Sequence, residues 1–188
     1  GEIAAPACAP PDRYPRKPDL SLPPGACDCH AHICGPAARY AYAPDRVYTP
    51  PDALLPDYLG MLHVLGVERA VLVQPSIYAT DNTVLLAALA ETGARCRGIA
   101  VVRADTTEDE LDRLHRAGVR GLRFNLVGVT EPGAGLPLAD IAALCRRTAG
   151  LGWHAEFLIH TDEYPELDGL FADFPVDVVL GPAGYTRP

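Results

Sequence analysis

The sequence Asp28-Cys29-His30-Ala31-His32 places two histidines one residue apart at the end of a short apolar segment. Side chains alternate between the faces of a β-strand, so a strand here directs Asp28, His30 and His32 to the same side. Three titratable groups on one face are costly to bury unless they serve a site. The pattern is suited to binding a divalent metal, or to binding and polarising a substrate directly without a metal. Hydrogen-bonded histidines near a strand end are the structural alternative.

Short β-rich segments alternate with helical patterns along the chain after residue 25. Four helical patterns end at a glycine (Gly66, Gly93, Gly118 and Gly152), a residue that readily adopts the left-handed conformation just past a helix. Strands alternating with helices predict parallel βαβ units with right-handed crossovers. The predicted strands are 26–32, 69–74, 97–102, 121–125, 154–159 and 177–180, and the predicted helices lie near 54–65, 83–91, 108–117, 138–151 and 165–174.

Two residue pairs predict how helices begin. Thr107 with Glu110 fits a capping box at the start of the third helix. Asp81 with Asn82 is expected to cap the second helix, because short polar side chains accept hydrogen bonds from the first free backbone N–H groups.

An open doubly wound sheet and a (β/α) barrel are both compatible with this alternation. No Gly-x-Gly-x-x-Gly or phosphate-loop pattern follows a predicted strand, which disfavours the nucleotide-binding sheet. Polar residues recur at the C-terminal ends of the predicted strands, where βα barrels build their active sites. These residues are His30 and His32, Gln74 and Ser76, Arg123 and Asn125, and Glu156 and His160. We therefore predict an α/β fold, a TIM-type (β/α) barrel apparently incomplete at the C-terminus, with about six of the eight βα units.

The composition argues against a nucleic-acid-binding protein and against a membrane-spanning one. The 188 residues carry a formal net charge of −8, which argues against a nucleic-acid partner, and no apolar run approaches the ~20 residues of a membrane span. Residues 1–25 are interpreted as a Pro-rich N-terminal extension and residues 26–188 as the barrel domain. The six cysteines show no Cys-x-x-Cys spacing, and we expect free thiols in the cytoplasm. The sequence is compatible with a homo-oligomer.

Several residues are candidates for holding a substrate. Arg123 and Asn125 share one face of the fourth predicted strand, while apolar residues occupy the other. An inward arginine matches a carboxylate bidentately, so a small anionic substrate is predicted; a structural Arg–Asp pair is the alternative. Gln74 and Ser76 share a face at the end of the second strand and are candidate hydrogen-bonding residues. Tyr48, in the long loop after the first strand, is a candidate wall of a pocket.

These segments together resemble the amidohydrolase superfamily (amidohydrolase-related family 2), in its branch of 2-pyrone-4,6-dicarboxylate lactonase-like hydrolases. The resemblance runs in order from about residue 26 to residue 179. The matching stretches are Asp28-Cys29-His30-Ala31-His32, the Tyr42-Ala43-Pro44 loop with Arg46 and Tyr48-Thr49-Pro50, Val73-Gln74 with Ser76 and Asp81-Asn82, Gly118-Val119-Arg120-Gly121-Leu122-Arg123-Phe124-Asn125, and Leu151-Gly152-Trp153-His154.

The resemblance implies a hydrolase that opens a carboxylated lactone or related ring compound with water, activated by an aspartate of the last strand. Carried over by motif, His30 and His32 contact the carbonyl, or bind one divalent metal, with zinc the expected ion; some members of the family work without a metal. Tyr48, Ser76 and Arg123 hold the substrate. The alternatives are a zinc-dependent decarboxylase of an aromatic or muconate-like acid, and a catalytically disabled partial barrel that only binds carboxylates.

Three features depart from the family pattern. The family continues Asp-His-x-Gly after the sixth strand, whereas this chain has Gly181-Pro182-Ala183-Gly184, with a proline in the histidine's place. A second anion-binding arginine expected after Asn125 is absent, with Val129 nearby, which weakens the expectation of a dicarboxylate substrate. The sequence reaches Pro188 before the strand that would supply the general-base aspartate.

Overall fold

A computed structural model describes residues 5–127 and 136–181. The chain divides between residues 98 and 99 into two compact units, each described by itself. The predicted alternation of strands and helices is confirmed throughout these residues. The strands are β1 (Cys27–Ala31), β2 (Arg69–Val73), β3 (Cys96–Ala100), β4 (Val119–Asn125), β5 (His154–Leu158) and β6 (Val178–Leu180). The helices are α1 (Leu55–Leu65), α2 (Thr83–Thr92), α3 (Glu108–Arg116), α4 (Leu138–Ala149) and α5 (Leu167–Phe171), with 3-10 turns at Ser76–Tyr78, Gly93–Arg95 and Thr161–Glu163.

The first unit is built on neighbouring strands in the order β1-β2-β3, and β1 runs parallel to β2. Strand β2 is buried on both faces, since Ala70, Leu72 and Val73 each expose at most 2% of their surface. Burial on both faces is the expected condition of a strand in a parallel sheet covered by helices. None of the described helices is long and apolar enough to cross a bilayer.

The Pro-rich N-terminal segment is tied to the first unit at two points. The Thr49 N–H donates to the Pro6 carbonyl at 2.7 Å, and the Cys8 N–H donates to the Thr49 carbonyl at 3.0 Å. Further along, Arg13 Nε lies 3.7 Å from Asp57 Oδ2 on α1. Both ionic side chains are substantially exposed, so the backbone contacts contribute more to the attachment than the ion pair does.

The second unit is organised by the order β4-β5-β6, with both strand pairs parallel. Alternate residues of β5 point to α4, where Ala155 and Phe157 form a buried cluster with Ile141 and Cys145. The Phe157 ring lies at the centre of an aromatic group, with ring centroids 5.4 Å from Phe124, 4.9 Å from Phe171 and 5.7 Å from Phe174. The intervening residues of β5 are thereby turned to the opposite face.

Two elements differ in length from the predicted ones. Strand β4 begins at Val119, two residues earlier than predicted, because Gly118 takes a positive φ of 105° and turns the chain there. Helix α5 has only five residues, although the pattern indicated a helix over 165–174. Pro165 and Gly169 both disfavour a longer helix, and Glu166 provides no side-chain cap.

The helix boundaries agree with the expected capping chemistry in part. Thr107 Oγ1 accepts a hydrogen bond from the Glu110 N–H at 3.2 Å, as a capping box requires. In a complete capping box the Glu110 carboxylate would accept from the Thr107 N–H. Here that carboxylate instead binds Arg113 through two contacts of 2.7 Å. That hydrogen-bonded guanidinium lowers the pKa of Glu110 below its ordinary value.

At helix α2 the capping oxygen comes from Asp81 alone. Asp81 Oδ1 accepts from the Thr83 N–H at 3.0 Å, whereas the Asn82 side chain makes no capping bond to the helix. Helix α1 ends at Gly66 in the left-handed conformation, with φ 75°, as the glycine pattern predicts. The predictions about Val129 and Pro182 concern residues outside the described part of the chain.

Replacing Thr107 by alanine removes the capping oxygen of α3. We expect the free energy of unfolding to fall by about 1 kcal/mol, measured by urea denaturation followed by far-UV circular dichroism. Thr107→Ser retains the oxygen and is expected to stay close to the parent protein. An equal loss in both variants would show that the threonine methyl group, rather than the cap, provides the stability.

Candidate active site

The two histidines lie at the C-terminal end of strand β1, with His30 inside the strand and His32 directly after it. The rings of His30 and His32 are edge to face, with centroids 5.0 Å apart. Nδ1 of His32 lies 2.8 Å from the Val73 carbonyl oxygen at the end of β2. A hydrogen bond between these atoms places the proton on Nδ1, so the other ring nitrogen of His32 faces its surroundings as an acceptor. Both rings are half-buried, as expected of groups that meet a substrate.

Strict alternation does not hold across the histidine segment. The register between β1 and β2 shifts between Asp28 and Ala31, so the irregularity falls within β1, on the residues that include His30. The Asp28 carboxylate is bound by the Tyr58 hydroxyl of α1 at 2.8 Å and by the His30 N–H at 3.2 Å. Asp28 therefore holds the backbone of His30, and its membership of the site together with the histidines stays a prediction.

Tyr58 is a residue that the sequence reasoning missed. Burial, followed by its hydrogen bond to the Asp28 carboxylate, raises the pKa of Tyr58 well above the ordinary range of a phenol. The hydroxyl therefore remains a donor at neutral pH and can hold the carboxylate in one position. A single tyrosine 30 positions beyond Asp28 carries no periodic signal, so only the fold could reveal this contact.

A cavity of about 210 Å³ adjoins His32 within the first unit. Its walls come from the end of β1, the first turns of α1 and the N-terminal segment, including Arg13. The lining residues are Pro11, Asp12, Arg13, Ala31, His32, Ala53, Leu54, Asp57, Tyr58 and Met61. The N-terminal segment thus contributes to the surroundings of one of the two candidate catalytic histidines.

The loop after β1 is held against the turn after β2. The Ala43 N–H donates to the Ile77 carbonyl at 2.7 Å, and the Gly35 N–H donates to the Tyr78 hydroxyl at 2.7 Å. Half-buried Tyr48 lies in this loop, and half-buried Ser76 begins the 3-10 turn. Both candidate substrate residues therefore stand on segments with defined backbone positions.

Gln74 is fully buried, and its amide nitrogen is bonded within the protein. Nε2 donates to the carbonyls of Ala79 at 3.1 Å and Asp81 at 2.8 Å. These bonds close the loop that carries Ser76. The arrangement assigns Gln74 a part in shaping that loop, which the strand pattern alone could not distinguish from direct contact with a substrate.

In the second unit, Arg123 and Glu156 lie directly opposite each other on β4 and β5. Arg123 exposes 7% of its surface and Glu156 only 4%. Neighbouring parallel strands bring opposed residues to the same face, so two buried, oppositely charged side chains share one environment. Glu156, predicted only as one of the polar residues towards the ends of the strands, is thus buried beside Arg123.

Gly181, just after β6, completes the environment of Glu156. A β-carbon at this position would lie 3.0 Å from both Cδ and Oε1 of the Glu156 side chain. The missing side chain therefore provides the space that the carboxylate occupies. At the end of β4, Asn125 Oδ1 accepts from the Val127 N–H at 3.2 Å and closes the turn that follows the strand.

The strand order, the helix layer and the histidine motif define an amidohydrolase. Residues 27–188 match the family model described as Amidohydrolase, and the chain belongs to this family. It is 36% identical over 170 residues to 2-pyrone-4,6-dicarboxylate hydrolase of Comamonas testosteroni, covering 90% of this chain and 55% of that protein. It is 40% identical over 123 residues to 4-sulfomuconolactone hydrolase of Rhizobium radiobacter, covering 65% of this chain and 41% of that protein. The chain spans about half the length of these curated relatives.

A solved structure shows the same fold. The probable 2-pyrone-4,6-dicarboxylic acid hydrolase of Acinetobacter baumannii, with citric acid bound, matches with a TM-score of 0.72 and 29% identity, over 83% of this chain and 57% of that chain. The predicted fold class, a TIM-type barrel with about six of its βα units in this chain, is confirmed.

Members of the amidohydrolase family often use a divalent metal. Within residues 5–127 and 136–181, no group of three or more His, Cys, Asp or Glu side chains is arranged to hold a metal ion. A catalytic zinc takes three protein ligands in addition to water. The His30–His32 pair provides two, so the described residues do not fit a complete zinc site.

Tyr58→Phe removes the hydroxyl that binds Asp28. We expect the free energy of unfolding to fall by about 1–3 kcal/mol, because a hydrogen bond to a charged group is lost, as measured by urea denaturation. Tyr14→Phe is the matched control, since Tyr14 is 91% exposed and should tolerate the change. Equal stability of the parent and Tyr58→Phe proteins would contradict the supporting role of this contact.

Tyr78 predicts a dependence of stability on alkaline pH. Burial raises the pKa of Tyr78 from 10.0 to about 12. Between these values the unfolded phenol ionises while the folded one keeps its proton, so stability is lost as the pH rises from about 10 to about 12. Tyr78→Phe lacks this loss, and the stability difference between the two proteins should narrow from pH 9 to pH 11 in urea titrations. A constant difference would exclude Tyr78 as the source.

Proposed function

We propose that this protein hydrolyses a carboxylated lactone with water. The observation that carries the proposal is the buried guanidinium of Arg123, which suits a substrate carboxylate in a family whose named relatives act on lactones and pyrone dicarboxylates. The Acinetobacter baumannii relative holds citric acid, a polycarboxylate, in its structure. A small anionic substrate follows from the same chemistry.

In this proposal His30 and His32 act on the carbonyl that water attacks. Ring N–H groups that point at the carbonyl oxygen stabilise the negative charge that develops there, the largest single contribution in many acyl-transfer reactions. His32 offers such a group as the imidazolium, because the N–H of its neutral ring is bonded to the Val73 carbonyl. Asp28 and Tyr58 position His30 through its backbone N–H. The resemblance assigns the removal of the water proton to an aspartate of a later strand.

Arg123 holds the substrate carboxylate, with Glu156 across the strand pair as the charge that makes its burial tolerable. Tyr48 and Ser76 offer hydroxyl groups to the rest of the substrate, and Gln74 and Asn125 shape the loops after β2 and β4. That the two histidines and Arg123 act on one substrate stays a prediction, based on their places at the C-terminal ends of the predicted strands.

The two alternatives are separable from lactone hydrolysis. The named relatives are lactone hydrolases, which supports ring opening by water over a zinc-dependent decarboxylation. A disabled barrel would bind carboxylated lactones in calorimetry without opening them. We further propose a cytoplasmic location, because all six cysteines are free.

Arg123→Lys and His32→Ala test the two halves of this assignment. We expect Arg123→Lys to raise KM by about 10- to 100-fold, because lysine cannot form the bidentate pair. His32→Ala should lower kcat by about 100- to 1,000-fold, through loss of charge stabilisation. The assay follows ring opening of a panel of carboxylated lactones by ultraviolet absorbance.

Arg103→Lys is the matched control, since Arg103 is exposed and its ion pair within the described residues is with the exposed Asp105. It should leave both constants unchanged. The proposal fails if no carboxylated lactone is opened, or if Arg123→Lys affects neutral and carboxylated lactones equally.

A further inference from the structure

Strand β1 carries two exposed thiols one residue apart, Cys27 and Cys29. Cys8 is also exposed, whereas the remaining three cysteines, Cys34, Cys96 and Cys145, are buried. The candidate active site uses neither Cys27 nor Cys29. Nothing in the proposed reaction explains two solvent-facing thiols directly before the histidine pair.

The two thiols stand two positions apart on β1, and each lies against a local backbone carbonyl. Cys27 Sγ is 3.6 Å from the Asp28 oxygen, and Cys29 Sγ is 3.7 Å from the Cys27 oxygen. Cys27 and Cys29 are both exposed, whereas Asp28 between them is half-buried, so both thiols lie on the solvent side of β1. The pair is therefore preorganised for a ligand that takes two sulfur atoms at once.

The chemistry of such a pair differs from that of a reactive single cysteine. Burial and the neighbouring Cys29 raise the pKa of Cys27, so the pair is poorly suited to attack an electrophile as a free thiolate. Two adjacent thiols instead bind soft, thiophilic ions strongly, because both sulfur atoms enter one coordination sphere. Two ligands are too few for structural zinc, which takes four.

We propose that Cys27 and Cys29 form a dithiol site for a soft, thiophilic metal or metalloid of low coordination number, such as a trivalent arsenical. With phenylarsine oxide as the probe, two As–S bonds form and two S–H bonds break. The oxide oxygen leaves as water with both protons. Arsenic remains trivalent and sulfur is not oxidised, so no other reactant is needed.

The test is intact mass spectrometry of the reduced chain after treatment with phenylarsine oxide and a wash with a monothiol. We expect one phenylarsine adduct per chain, stable to the monothiol and released by a dithiol. Cys27→Ser and Cys29→Ser should each lose the stable adduct, because one As–S bond exchanges readily with the wash. Circular dichroism checks that both variants are folded.

Cys8→Ser is the matched control, since it removes the other exposed thiol and should retain the adduct in full. The proposal is overturned if the parent protein forms no stable adduct, or if either strand variant keeps it. Loss of the adduct in Cys8→Ser would also overturn it, by assigning the site to the N-terminal segment. Each result is independent of lactone hydrolysis.

Discussion

The parallel register of β4 and β5 is the constraint on which the candidate substrate site of the second unit depends. Because opposed residues share a face, one register brings Arg123 and Glu156 together and turns Phe157 to the helix layer. A slip of β5 by one residue would place Glu156 among the aromatic rings and turn Phe157 to the opposite face of the sheet. The apolar cluster and the charged pair therefore specify the same alignment, and the hydrophobic contacts of α4 hold the guanidinium where a carboxylate could meet it.

Contacts between loops have a comparable role in the first unit. The loop after β1 and the turn after β2 are joined by backbone hydrogen bonds and by the Tyr78 hydroxyl, while Gln74 closes the second loop from inside. Polar groups of buried segments need partners, and here the partners come from neighbouring loops. Tyr48 and Ser76 thus belong to segments whose backbone is held by hydrogen bonds within the protein itself.

Much of the fold could be predicted because its signals are local. Runs of β-branched residues, helix-ending glycines and the Thr107 cap are readable from nearest neighbours, and the family motifs added the barrel. The inward face of β4 was also predictable, since Arg123 interrupts an apolar alternation. The supporting contacts were not: the shift in register after Asp28, its bond to Tyr58 and the bonds of Gln74 to the next loop join residues whose proximity no sequence period encodes.

The close approach of Gly181 to Glu156 links the residue types that these two positions can hold during evolution. Its α-carbon faces the end of the Glu156 side chain so closely that even a methyl group would require the carboxylate to move by a few tenths of an ångström. A larger residue at 181 would need a shorter one at 156. The two positions are therefore expected to covary, with an acidic side chain reaching into this space from one strand or the next, but seldom from both. A lineage could transfer the negative charge between neighbouring strands through paired substitutions while the architecture stays the same.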